Sequence, residues 1–192
     1  MSRIPLFSET SDFNPVQRRV VDGILGRRGG RIPGPYRFSL HAPEVTEVWH
    51  PLGEQLRLKS SFPLRLSEFA IIITARAWDC DYIFNAHAKL AIGDGLAQSI
   101  ADALVRNERP EFSTDKKGQE EEAMYDYGVE LFRDHKISDK SYNRARDLFG
   151  IPAIVELSCL MGYYGMVAAT LLSHEMPLQG GAVRLQGRFG KA

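Results

Sequence analysis

Residues Ser67 to Gly95 read SEFAIIITARAWDCDYIFNAHAKLAIGDG, and their reading decides the fold. The first half, together with Leu64–Leu66, has no Gly, Pro, Asn or Asp before Asp79 and is apolar on every side. That length and pattern fit a buried helix better than the strand suggested by the β-branched triplet Ile71, Ile72 and Ile73. The second half places Cys80 and His87 seven residues apart, about two turns of an α-helix and therefore on one face. Glu68, a dozen residues before Cys80, reaches the same place if one helix ends near Trp78 and a second begins at Cys80. A carboxylate, a thiol and an imidazole then share one apolar wall.

Outward from this stretch the chain reads as more helices. Pro15 opens one through Val20, Val21 and Ile24 to about Gly26, and Arg27 to Pro35 is a connector. Pro43 opens another through Val45, Val48, Trp49, Leu52 and Leu56 to Leu58, with apolar residues at helical spacing. Gly93 and Gly95 are stop signals, followed by a short helix from Leu96 to Val105 and a charged segment, Arg106 to Gly118, expected to be a mobile loop. A helix from Gln119 to Arg133 turns Met124, Tyr127 and Leu131 inward, and Ser138 caps the next one ahead of Tyr142, Ala145 and Leu148. Ile151 to Leu172 is a long apolar helix with only Glu156 charged. It has the length of a membrane span, but Glu156, Tyr163 and Tyr164 interrupt it and a helical core needs one such helix, so no membrane is expected. Pro177 to Ala192, rich in Gly and Arg, reads as a loose tail.

With 192 residues the chain is expected to form a single domain. Its 24 basic and 24 acidic residues balance, which leaves no electrostatic footprint for nucleic acid or an anionic membrane. Two cysteines make no disulfide framework, and no charged segment followed by an apolar one opens the sequence, so a reduced, cytoplasmic protein is expected.

The spacing of Glu68, Cys80 and His87, with Trp78 and Tyr82 around the thiol and Val155-Glu156-Leu157 then GYYGMVAATLL (Gly162–Leu172) later, resembles the carboxymuconolactone decarboxylase superfamily, which includes the AhpD-like alkylhydroperoxidases. The resemblance covers roughly residues 35–177, leaving an N-terminal segment of residues 1–34 with one helix and a C-terminal tail of residues 178–192. It implies an all-α, AhpD-like fold assembled as a homo-oligomer, a trimer or hexamer, with the site on the helix carrying His87. Peroxidase-type members carry a second cysteine three residues after the first; here that position is Ile83. Cys159, the only other thiol, sits in the late apolar helix and reads as a small buried hydrophobe.

His87 is the first catalytic candidate, because an imidazole can take and give a proton near neutral pH. The alternative is a core histidine satisfied by a backbone carbonyl. Glu68 either orients that ring or holds a proton itself, unless it is a helix-surface carboxylate paired with Arg65 or Arg76. Cys80 is the third candidate: Asp79 would cap the second helix and place the thiol in its first turn, where the dipole favours thiolate, while the charges of Asp79 and Asp81 oppose it. Trp49, Arg57, Trp78 and Tyr82 are candidates for binding substrate, with Arg57 matched to a carboxylate, and His41 and His50 could line the mouth. The spacings lack a metal-ligand pattern, and neither metal nor cofactor is expected. The expected function is decarboxylation, or a related proton-transfer elimination, of a small oxo-acid, lactone or aromatic-derived carboxylate, as in aromatic catabolism. The alternatives are an AhpD-like thiol peroxidase using Cys80 and a non-catalytic ligand-binding oligomer.

Overall fold

The structure, a computed structural model, describes residues 2–26 and 30–190, so residues 27–29 of the expected connector and the last two of the tail lie outside it. Among the described residues there are nine α-helices and no strand. They are α1 (Pro15–Leu25), α2 (Tyr36–Ser39), α3 (Pro43–Leu58), α4 (Leu64–Ala77), α5 (Asp81–Gly93), α6 (Gln98–Val105), α7 (Lys116–Asp134), α8 (Asp139–Phe149) and α9 (Ile151–Ser173). Local signals start several of them. Asn14 and Gln17 form a capping box on α1, Pro43 occupies the first turn of α3, and the Ser138 hydroxyl accepts from the Ser141 amide at the start of α8. The isoleucine triplet is helical, and the single turn of α2 is an addition to the helices expected from the sequence.

α4 lies at the centre: Leu66 through Arg76 are buried without a break, against α5, α7 and α9. A helix apolar on all sides can bury itself only by being surrounded. α7 comes close because Gly128 has no side chain; a Cβ there would crowd Met161 of α9 and Ile73 of α4. A second, smaller core unites Val20, Val21, Ile24 and Ile32 of the N-terminal segment with Tyr36 and Leu40 beyond it.

The chain reverses from α4 to α5 within three residues. Asp79 takes a left-handed φ of 49°, its amide donates to the Arg76 carbonyl at 3.0 Å, and the Cys80 amide donates to the Ala75 carbonyl at 2.8 Å. This is a Schellman motif with aspartate where glycine is usual. The Asp79 carboxylate accepts from the Arg76 guanidinium and from the Phe189 amide, which holds the strained residue in place. Asp79 is therefore the stop of α4 and not the expected cap of α5. Cys80 itself occupies the cap position, without a side-chain capping bond, just ahead of the first turn. The same bonding pattern ends α5 at Gly95, α6 at Asn107 and α9 at Glu175.

Three expectations are corrected. The segment before α7 is anchored: Arg109 pairs with Glu122 and Asp126, and the Phe112 ring packs on Phe69 and Tyr125. The tail is fastened too, because Arg76, 2% exposed, donates to the Gln186 and Gly187 carbonyls. Asp81 accepts from the Leu185 amide, and Asn85 both donates to and accepts from the Val183 backbone. Cys159 is exposed, on the outer face of α9. By length and composition α9 could cross a membrane, yet 56% of its most apolar window is buried within the fold.

Candidate active site

The tight α4–α5 reversal lays the two helices side by side, bringing Glu68 of α4 to His87 of α5 with His87 Nδ1 and Glu68 Oε2 2.6 Å apart. The end of α3 adds Arg57, whose Nε donates to the other carboxylate oxygen at 2.6 Å. Glu68 is 1% exposed and thus bridges an imidazole and a guanidinium from inside the wall. An ionised carboxylate only accepts, so His87 donates through Nδ1, and Nε2 is the ring atom that can take up or release a proton. Arg65 and Arg76, the surface partners considered for Glu68, are engaged elsewhere, by Glu120 and Glu121 and by Asp79.

Burial pushes the Glu68 carboxyl up, but the hydrogen bond and charge of His87, and then those of Arg57, outweigh it and hold the group below its ordinary value of 4.5. A depressed carboxylate stabilises the fold fully above its unfolded value and stops doing so as pH falls through the folded one. Glu68→Gln should therefore be less stable than the parent at about pH 7, with the deficit shrinking towards about pH 3. Urea unfolding across that range checks this; a deficit independent of pH would contradict an ionised Glu68.

His87 and Arg57 border a cavity of about 180 Å³, lined otherwise by five aromatic side chains, the Pro33–Pro35 turn and three aliphatic residues. Edge-to-face contacts run from Tyr36 to Trp49 (5.9 Å between centroids), Trp49 to Tyr163 (6.4 Å), Tyr163 to Tyr164 (5.4 Å) and Tyr164 to His87 (5.0 Å). The turn Pro33–Gly34–Pro35 forms the roof on Tyr82, where a Cβ at Gly34 would overlap the phenol oxygen. Gly53 likewise makes room on α3 for the phenol of Tyr163. Trp49 Nε1 is buried and meets no acceptor among the described residues.

Of the residues singled out from the sequence, the structure gathers His87, Glu68, Arg57, Trp49 and Tyr82 and leaves others apart. Cys80 is 1% exposed and outside the lining, and burial, more than the nearby Asp81 charge, pushes its thiol up to about 11. Ile83, where peroxidase-type members have their second cysteine, faces the cavity instead. Trp78 lies outside the cavity beside Gly165, and no metal cluster occurs among the described residues. His41 meets the Pro5 carbonyl and the Phe7 ring, and His50 packs on Tyr36, so neither forms the mouth. Tyr36, Tyr163, Tyr164 and the Pro33–Pro35 turn are the parts that sequence reasoning missed. The paired tyrosines inside an otherwise apolar helix were the available signal for two of them.

No protein-family model matches this chain. Among solved structures it is similar to an alkylhydroperoxidase AhpD core, an uncharacterized peroxidase-related protein from Ralstonia eutropha JMP134, with 15% identity, a TM-score of 0.73 and 93% of each chain covered. It is also similar to an uncharacterized peroxidase-related protein from Silicibacter sp. TM1040, with 14% identity, a TM-score of 0.73, and 98% of this chain and 95% of that one covered. At such identities the likeness establishes the fold, an all-helical AhpD-like arrangement over nearly the whole chain.

Proposed function

We propose that the cavity is the active site of an enzyme that moves a proton at carbon in a small oxo-acid, lactone or aromatic-derived carboxylate, by decarboxylation or a related elimination. The observation that carries this reading is the character of the wall. Arg57, Trp49 and Tyr82 can donate into the space, His87 supplies the acid/base, and among the described residues no carboxylate or amide side chain lines it. Such a surface suits a ligand rich in acceptors and the enolate oxygen that develops from it. In the decarboxylation of a β-oxo acid, the C–C bond pair passes to the enolate oxygen as carbon dioxide leaves. Protonated His87 Nε2 then delivers its proton to the carbon and recovers one from water, while the buried Glu68 carboxylate stabilises the imidazolium. The His87–Glu68 pairing also speaks against a bare ligand-binding module.

The second reading is a thiol peroxidase, and the names of both structural neighbours favour it over the first. In it the Cys80 thiolate attacks a peroxide oxygen, the O–O bond breaks, and the leaving alkoxide takes a proton from His87. Cys80 remains as a sulfenic acid that an external thiol must reduce, since Ile83 replaces the neighbouring cysteine. The raised thiol and its burial weigh against this. Incubation with cumene hydroperoxide and dithiothreitol separates the two. Under the first reading Cys80 oxidises at a background rate and Cys80→Ser retains turnover of the carbon substrate. Saturable peroxide consumption lost in Cys80→Ser would establish the second.

A further inference from the structure

A second cavity, of about 280 Å³, adjoins the active one, and Tyr82 and Ala86 line both. Helix α5 sets their order. Tyr82, Ala86 and Lys89 stand at i, i+4 and i+7 and form one stripe, with Ile83 and His87 beside it around the helix. The active cavity takes the His87 side of that stripe and the second cavity the Lys89 side. Its outer wall is the chain's own tail, Leu178 to Val183. That wall is tied at both ends: the Met176 amide donates to the Leu171 carbonyl at 3.0 Å, and Asn85 holds the Val183 amide and carbonyl at 2.8 Å each. Between the ties, the hydrogen bond seen among the described residues is the turn's own, from the Ala182 amide to the Gln179 carbonyl at 3.3 Å, with Gly181 at a φ of 77°. Lys89 carries the only charge in the lining and makes no hydrogen bond or ion pair with any described residue.

We propose that the second cavity is the entrance to the active one and an anion-capture site: Lys89 takes the carboxylate of an incoming acid, and displacement of the Tyr82 ring passes it on to Arg57 and His87. That the anion is a carboxylate rests on the acid substrate of the reading above. An ammonium on a flexible stem at the rim suits capture, because it can follow a ligand without fixing its geometry. Arg57, held by Glu68, is the fixed partner inside. Among the described residues no acidic side chain lines either cavity, so an anion meets no opposing charge between the two cations. The distance to travel is short, since Lys89 and His87 are two residues apart, about 3 Å along the helix axis.

Trp49 borders the active cavity and Trp78 does not, so in a Trp78→Phe background indole fluorescence reports what reaches the site. The probes are trichloroacetate, a carboxylate quencher, and acrylamide, a neutral one. Lys89→Glu should lower the ratio of the trichloroacetate to the acrylamide quenching constant by about threefold or more. Lys140→Glu, the same change of charge on α8, should leave that ratio as it is. A ratio unmoved by Lys89→Glu, or lowered equally by Lys140→Glu, would overturn the anion site. Tyr82→Ala joins the two cavities and should raise both constants by about twofold, whereas Ala86→Phe, at an exposed position lining both, narrows the passage and should lower both by a similar factor. Circular dichroism checks folding, and Ala86→Phe decides alone where Tyr82→Ala does not fold. Constants unmoved in a folded variant would place the entrance elsewhere and overturn the passage. None of these measurements needs turnover, so their failure leaves the proton-transfer reading standing, and failure of that reading in a turnover assay leaves the anion entrance standing.

Discussion

His87→Gln should lower kcat on a substrate of this cavity by about 100- to 10,000-fold while leaving the protein folded, the usual loss when a general acid/base is removed. Glutamine fills nearly the same space and can keep a hydrogen bond to Glu68, so the buried carboxylate is not abandoned. What it cannot do is take a proton and give it back. The effect should fall on kcat more than on KM, because Arg57 and the phenols that line the cavity with His87 remain. A panel of β-oxo acids and enol lactones, followed by carbon dioxide release or loss of enol absorbance, provides the measurement, with circular dichroism as the control for folding. A variant within tenfold of the parent on every substrate turned over would remove His87 from the mechanism.

The largest effect on stability should come from Phe69→Ala. Phe69 is fully buried on the central helix, and its ring sits 6.4 Å from that of Phe112 in an edge-to-face contact. Truncation removes the transfer energy of a whole ring and leaves a cavity that helices packed on every side of α4 cannot collapse, a cost of about 3–5 kcal/mol. Against a typical stability of about 5–15 kcal/mol, that is a large fraction of the total. Urea unfolding should show a lower midpoint with an unchanged slope; a shift equivalent to under about 1 kcal/mol would mean that the core relaxes around the missing ring. The loss should also loosen the former loop before α7, since Phe112 is anchored on Phe69.

The helical architecture was readable because its signals are local. A long run without breakers, prolines at first turns and a capping serine act within a few residues of where they stand, and α3 begins and ends as its pattern predicts. The Glu68–His87 contact was readable for a related reason: helical spacing on α5 and a short reversal leave few ways to arrange two buried polar groups. What escaped depends on distant partners. Asp79 can hold a left-handed backbone because Arg76 and the Phe189 amide engage its carboxylate, the latter more than a hundred residues away. That displacement moved Cys80 from the first helical turn to the cap position, and burial raises its thiol. The exposure of Cys159 was invisible because a helix apolar on all sides carries no period from which to read its outer face. Tyr36 was missed because one turn of helix is too short for a pattern.

The roof and the floor of the cavity belong to different cores. Tyr36 is packed with Val20, Ile24 and Leu40, whereas the residues that position Glu68 and His87 belong to the main body around α4. The Tyr36 ring, in edge-to-face contact with Trp49, is where the two cores meet at the cavity. Substitutions at Val20, Ile24 or Leu40 would act on the cavity through Tyr36 and the turn over Tyr82, and not through the packing of α4 that holds Glu68.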